Sequence, residues 1–150
     1  AAVGTLCEPI ESVEALFDPS VVKVVCDGSG HALYFSRAPI PWHRDALAGR
    51  EDAGLGAALT ANRSALEDLS LPPAQYFRHM GIYAYEVGFL GQVVRQSACE
   101  LERVEALEQL RVLYHGGRIR VEVACEKPGP GIDTPADLER VRALVERLEH

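Results

Sequence analysis

Val21-Val22-Lys23-Val24-Val25-Cys26 is a β-branched run, followed by Asp27-Gly28-Ser29-Gly30 and then by Ala32-Leu33-Tyr34-Phe35. Two apolar stretches joined by a Gly-rich turn predict a β-hairpin. On its upstream side, Glu11 to Phe17 predicts a short helix, with Val13, Leu16 and Phe17 on one side and Pro19 beyond its end. Further upstream, Ala1-Ala2-Val3-Gly4-Thr5-Leu6 has no Met and reads as the middle of a strand. A cut chain is the expectation, with a processed N-terminus as the alternative.

Downstream of the hairpin, Pro39 and Pro41 break the pattern, and residues 49–75 predict a long variable loop ending in Pro72-Pro73. Phe77 to Tyr85 resumes as a strand and Glu86 to Arg95 as a helix. Glu100 to Tyr114 predicts one continuous helix, with Leu101, Val104, Leu107, Leu110 and Tyr114 as its stripe and Gly116-Gly117 as its stop. Ile119, Val121 and Val123 alternate with Arg118, Arg120 and Glu122, which is a strand with one wet face. After Lys127-Pro128-Gly129-Pro130-Gly131, Thr134 caps a last helix that begins at Pro135, with Leu138, Val141, Val145 and Leu148 as its core stripe. Helices following strands make an α/β fold, with residues 1–150 as a single domain or domain fragment.

The chain has 150 residues, 47% hydrophobic and 25% charged, which suits an ordinary globular domain. Fifteen Lys+Arg against 22 Asp+Glu give a net charge of -7, which argues against nucleic-acid and acidic-membrane partners. No apolar run reaches the roughly 20 residues that span a bilayer. Cys7, Cys26, Cys99 and Cys125 show no CxxC pair and read as buried thiols of a reducing, cytoplasmic compartment.

Arg37 ends a strand before Ala38-Pro39-Ile40-Pro41. A guanidinium fixed there could grip a carboxylate through two parallel hydrogen bonds, or simply pair with a surface acid. Alternation puts Phe77, His79, Gly81, Tyr83 and Tyr85 on one strand face. His79 and Tyr83 could meet a polyhydroxylated ligand, or be a core histidine beside a packing glycine. Glu102, Glu105, Glu108 and Gln109 run along the predicted helix, as a solvated flank or as a Glu-Gln pair for sugar hydroxyls. Asp133, at the end of a rigid loop, reads as a turn residue or as one ligand of a hard divalent cation. Gly28-Ser29-Gly30 is a hairpin turn and not a phosphate loop.

Four segments in register carry a family resemblance. They are Val22-Lys23-Val24-Val25 leading to Ala32-Leu33-Tyr34-Phe35-Ser36-Arg37-Ala38-Pro39-Ile40-Pro41; Arg78-His79-Met80-Gly81-Ile82-Tyr83-Ala84-Tyr85; Leu107-Glu108-Gln109-Leu110-Arg111; and Gly131-Ile132-Asp133-Thr134-Pro135-Ala136-Asp137-Leu138-Glu139. Together they resemble the C-terminal portion of 3-deoxy-manno-octulosonate cytidylyltransferases, the CMP-Kdo synthetases of Gram-negative bacteria. The resemblance implies part of a Rossmann-like nucleotide-diphospho-sugar transferase fold, a mixed sheet flanked by helices, without the N-terminal nucleotide-binding half. It implies CTP and the acidic sugar Kdo as substrates, CMP-Kdo and pyrophosphate as products, Mg²⁺ as cofactor and a homodimer in lipopolysaccharide biosynthesis. In the reaction that the resemblance implies, the sugar's anomeric hydroxyl attacks the α-phosphate, and the protein positions the reactants and neutralises charge. Arg37, His79, Tyr83, Glu108 and Gln109 fall on the family's sugar-binding positions, and Asp133 on a metal carboxylate.

Departures from the family pattern accompany the match. Cys99-Glu100-Leu101-Glu102 stands where the family usually has Ser or Thr, Pro, Leu, Glu. The basic phosphate loop and the other metal carboxylate segment do not appear in this chain, so on its own it is expected to be inactive, with an unpaired sheet edge. Activation of another acidic sugar such as sialic acid is the close alternative. A non-catalytic dimerisation or sugar-acid-binding module is the distant one.

Overall fold

The computed structural model describes residues 1–42, 44, 76–126 and 135–148. In chain order these form β1 (Val3–Pro9), α1 (Val13–Phe17), β2 (Lys23–Cys26), β3 (Ala32–Ser36), β4 (Phe77–Tyr85), α2 (Val87–Val93), α3 (Glu100–Glu105), α4 (Leu110–Tyr114), β5 (Ile119–Val123) and α5 (Pro135–Leu148). The fold is α/β, a mixed sheet flanked by helices, as the sequence predicts. The loop expected at 49–75 and the Thr134 cap lie outside the described residues.

The sheet order is β3-β2-β4-β1-β5. β1 runs parallel to β5 and antiparallel to β4, and β2 is antiparallel to both β3 and β4. Only Lys23 and Val24 of β2 pair with β4, at Arg78 and Phe77. The hairpin of β2 and β3 therefore leaves the sheet plane beyond this contact, and its turn crosses to β5. There His31 bridges Arg120, and the Val121 amide donates to the Gly30 carbonyl at 2.9 Å. The two ends of the strand order thus meet, and the β5 edge is partly covered.

The turn is shaped by Asp27. Its carboxylate accepts from the Ser29 amide, the Ser29 hydroxyl and the His31 amide at 2.9, 2.7 and 2.9 Å. These bonds, that of the His31 amide foremost, hold its pKa down at about 2. Gly30 takes φ 76, and a Cβ on it would lie 3.1 Å from the Arg120 guanidinium, which itself donates to the Ser29 carbonyl. Glycine is needed here for both conformation and approach.

The main core joins Val3, Cys7, Val24, Phe35, Leu107, Leu110, Val112, Ile119 and Val121. Burying each large aliphatic side chain contributes about 1.5–3 kcal/mol. A smaller cluster of Ile10, Leu16 and Tyr76 sits beside α1, whose N-terminus is capped by the Ser12 hydroxyl. The stripe expected on α5 is not all core: Val145 is exposed.

The continuous helix expected from Glu100 to Tyr114 is instead two short helices. Ala106 between α3 and α4 is left-handed, φ 51 and ψ 51. The reason lies in competing partners. The carbonyls of Glu105 and Ala106, which a continuous helix would satisfy from within, instead accept from Arg37. Leu101, Val104 and Tyr114 consequently face solvent, whereas Leu107, Leu110 and the unforeseen Val112 face the core. Glu102 on α3 grips Arg111 on α4 through a two-pronged pair of 2.8 and 2.5 Å, which holds the broken segment together. At the altered cap, the Cys99 sulfur accepts from the Glu102 amide at 3.4 Å, so the thiol takes the place of the usual hydroxyl.

Candidate functional site

Strand β4 carries the polar rings. Thr5 pairs with Tyr83 and Cys7 with His79, so β4 has extra residues opposite Leu6. Gly81 at this bulge takes φ 69. The bulge leaves alternation intact for His79, Tyr83 and Tyr85, which share the core face with Thr5 and Cys7. The rings form a row. Phe35 meets His79 edge-on at 4.9 Å, His79 meets Tyr83 at 5.2 Å, and Tyr83 meets Tyr85 at 5.8 Å.

His79 is half-buried. Its Nε2 shares a 2.9 Å hydrogen bond with Thr5 Oγ1, which also donates to the Ile82 carbonyl at 2.7 Å. Burial holds the imidazole pKa down at about 4, so the ring is neutral near pH 7. The Tyr83 hydroxyl oxygen is buried and has no hydrogen-bond partner among the described residues. Burial, and then the nearby Glu108 carboxylate, push its pKa well above the usual phenol range; the same two causes raise that of Tyr85. A buried phenol without a partner is costly unless a ligand supplies one.

Arg37 stands at the end of β3. Its Nε donates to the Glu105 carbonyl at 2.8 Å, Nη1 to the Pro19 carbonyl at 2.9 Å and Nη2 to the Ala106 carbonyl at 3.3 Å. A guanidinium has five N–H groups, so three bonds leave two free of these contacts. The Glu105 carboxylate completes the junction, accepting from the Ser36 hydroxyl at 2.6 Å and the Arg37 amide at 2.9 Å. Arg37 is thus clamped to α3, which fixes the direction of its remaining donors.

The register ties these parts together. Lys23 pairs with both Ser36 and Arg78, so Arg37 and His79, each one residue further on, lie in one row across the sheet, on either side of Val22. Cys7, which pairs with both His79 and Val123, continues that row to the end of β5. Glu108 lies in the α3–α4 connection and is exposed beside the tyrosines; Gln109, its neighbour, is buried. The expected pair is therefore split between an exposed carboxylate and a buried amide. Asp133 lies outside the described residues. Among the described residues no group of three or more His, Cys, Asp or Glu could hold a metal.

Sequence reading missed three contributors. Thr5 carries no motif, and only the bulge brings it to His79. Glu105 was visible as one of a row of carboxylates, but its partners are 68 and 69 residues away. Lys23 is fully buried, its ammonium donating to the Asp18 and Val21 carbonyls at 2.9 and 2.5 Å. Burial lowers its pKa. Its β-strand neighbours Val22 and Val24 concealed it.

Comparison with known proteins adds the family. The cytidylyltransferase family model matches residues 2–121. The chain belongs to the cytidylyltransferase family. It is 53% identical over 146 residues to a 3-deoxy-manno-octulosonate cytidylyltransferase of Nitrosococcus oceani, covering 97% of this chain and 50% of that protein. To the enzyme of the same name from Hahella chejuensis it is 49% identical, with 97% and 51% covered. A solved structure of CMP:2-keto-3-deoxy-manno-octonic acid synthetase complexed with CTP superimposes with a TM-score of 0.72 at 38% identity, covering 97% of this chain and 49% of that one. This cytidylyltransferase chain thus spans about half the length of the curated relatives it matches. Among its described residues no helix is long and apolar enough to cross a membrane.

Proposed function

We propose that this chain forms the acidic-sugar side of a cytidylyltransferase that transfers CMP from CTP to Kdo, releasing pyrophosphate. The observation that carries the reading is one row of the sheet that has a clamped cation and a polar ring on either side of Val22, continued along β4 by Tyr83 and Tyr85. Arg37 offers two N–H groups in a fixed direction, suited to the sugar's carboxylate. Tyr83 offers a buried hydroxyl without a partner among the described residues, and His79 a neutral imidazole, both suited to sugar hydroxyls. The exposed Glu108 would close the polyol side, with Gln109 buried behind it.

In the proposed reaction the sugar's anomeric oxygen attacks the α-phosphorus of CTP, and the bond to pyrophosphate breaks. The work of this row is to orient that oxygen and to exclude misplaced sugars. Mg²⁺ would neutralise phosphate charge when bound, with Asp133 as one carboxylate ligand. A homodimer in the cytoplasm completes the proposal, with the region around the exposed Trp42 as its contact surface.

The test is formation of CMP-sugar and pyrophosphate from CTP by the complete gene product, with Kdo and with sialic acid. Turnover of Kdo is expected. Turnover of sialic acid alone contradicts the choice of sugar. Turnover of neither, with a sugar acid still bound, favours a non-catalytic module.

A further inference from the structure

We propose that Thr5 is a positioning residue that fixes His79 as the Nε2–H tautomer, so that its bare Nδ1 accepts a hydrogen bond from a hydroxyl of the bound sugar. The inference rests on the sugar-acid reading above and adds which atom faces the sugar and why.

A threonine hydroxyl has one proton. Thr5 Oγ1 lies 2.7 Å from the Ile82 carbonyl oxygen, which can only accept, so the proton points there. Only lone pairs are then left to face His79 Nε2, at 2.9 Å. A bare Nε2 at that distance would oppose two lone pairs with no proton between them. Nε2 therefore carries the proton. A neutral imidazole has only one N–H, so Nδ1 is an acceptor. Burial supports this by disfavouring the doubly protonated ring.

Among the described residues nothing else around the ring reverses the assignment. Phe35, edge-on to the ring, has no hydrogen-bonding atom, and no bond from Nδ1 is formed among the described residues. The adjoining Tyr83 hydroxyl also lacks a partner among the described residues. One ring presents an acceptor and the next a hydroxyl, which is a match for a polyol and a mismatch for a carboxylate. The sugar's carboxylate is thereby left to Arg37. Thr5 is itself 5% exposed and is held by the bulge, so its hydroxyl has no water to turn towards.

The test uses the complete gene product with ¹⁵N-labelled histidine, as wild type, Thr5→Val and Thr5→Ser. Wild type and T5S are expected to show His79 protonated at Nε2 and bare at Nδ1, with Kdo moving the Nδ1 resonance. T5V is expected to populate the Nδ1–H form and to raise KM for Kdo about tenfold, leaving KM for CTP unchanged. T5S keeps the hydroxyl and should restore both readouts, which a merely structural role for Thr5 would not require. A protonated Nδ1 in the wild type, a tautomer indifferent to T5V, or an unchanged KM for Kdo in T5V overturns the proposal. The tautomer is read without turnover. A Thr5-dependent tautomer with no CMP-Kdo synthesis therefore upholds the positioning role and counts against the Kdo reading. Normal synthesis with a Thr5-independent tautomer does the reverse.

Discussion

Replacing Arg37 separates its two jobs. In the structure the guanidinium donates to three carbonyls, of Pro19, Glu105 and Ala106, and keeps two N–H groups for a ligand. Arg37→Ala removes both sets. Water can reach the Pro19 and Ala106 carbonyls, whereas the Glu105 bond is partly buried. The stability loss is therefore nearer one hydrogen bond than three, about 1–2 kcal/mol. A charge-assisted pair with the sugar carboxylate contributes about 2 kcal/mol in a half-open site, which corresponds to a rise of about 30-fold in KM for Kdo. Arg37→Lys keeps the charge but not the fork; one ammonium cannot reach three carbonyls and a carboxylate together, and a rise of about tenfold is expected. Initial-rate kinetics of pyrophosphate release with each substrate varied, beside urea unfolding of the same variants, reads both quantities. KM for CTP should move less than about twofold in either variant. A stability loss of the stated size with KM for Kdo changed less than about threefold would refute the reasoning and leave Arg37 as a clamp only.

Three further outcomes follow from the same geometry. Tyr83→Phe deletes a buried hydroxyl that has no partner among the described residues, so the ligand-free protein should be no less stable, while KM for Kdo rises about five- to tenfold; the opposite pattern would mean the hydroxyl is satisfied internally. His79 titrates at about 4 in the folded chain, because burial disfavours its charge, against about 6.5 when unfolded, so its stability contribution is complete above 6.5 and lost as pH falls through 4. That window of 2.5 units sets an upper limit of about 3 kcal/mol, and His79→Gln should flatten the stability profile there in pH-dependent urea titrations. Gly117→Ala should lower stability by about 2 kcal/mol, because its Cβ would meet Val112 Cγ1 at 2.7 Å and the Val112 carbonyl oxygen at 2.9 Å, whereas Gly28→Ala, with open space around it, should be neutral in the same assay.

Legibility in the sequence followed the range of the forces involved. The hairpin, β4 and β5 rest on local alternation and turn residues, and their limits lie close to those expected. The shared face of His79, Tyr83 and Tyr85 was legible too, because period-2 geometry survives the bulge. The helix from Glu100 to Tyr114 was misread for a long-range reason. Its apolar spacing is helical throughout, but Arg37, from a strand about 70 residues earlier, takes the carbonyls that the helix needed. Thr5 was invisible because its role depends on a bulge in another strand, and Lys23 because a buried amine needs two carbonyls that only the folded α1–β2 connection supplies.

The most direct measurement is a crystal structure of the complete gene product with Kdo and a non-reactive CTP analogue bound. The account predicts the sugar carboxylate on the two remaining N–H groups of Arg37 and sugar hydroxyls within hydrogen-bond distance of Tyr83 Oη and His79 Nδ1. A sugar bound elsewhere, with Arg37, His79, Tyr83 and Glu108 all untouched, would contradict it.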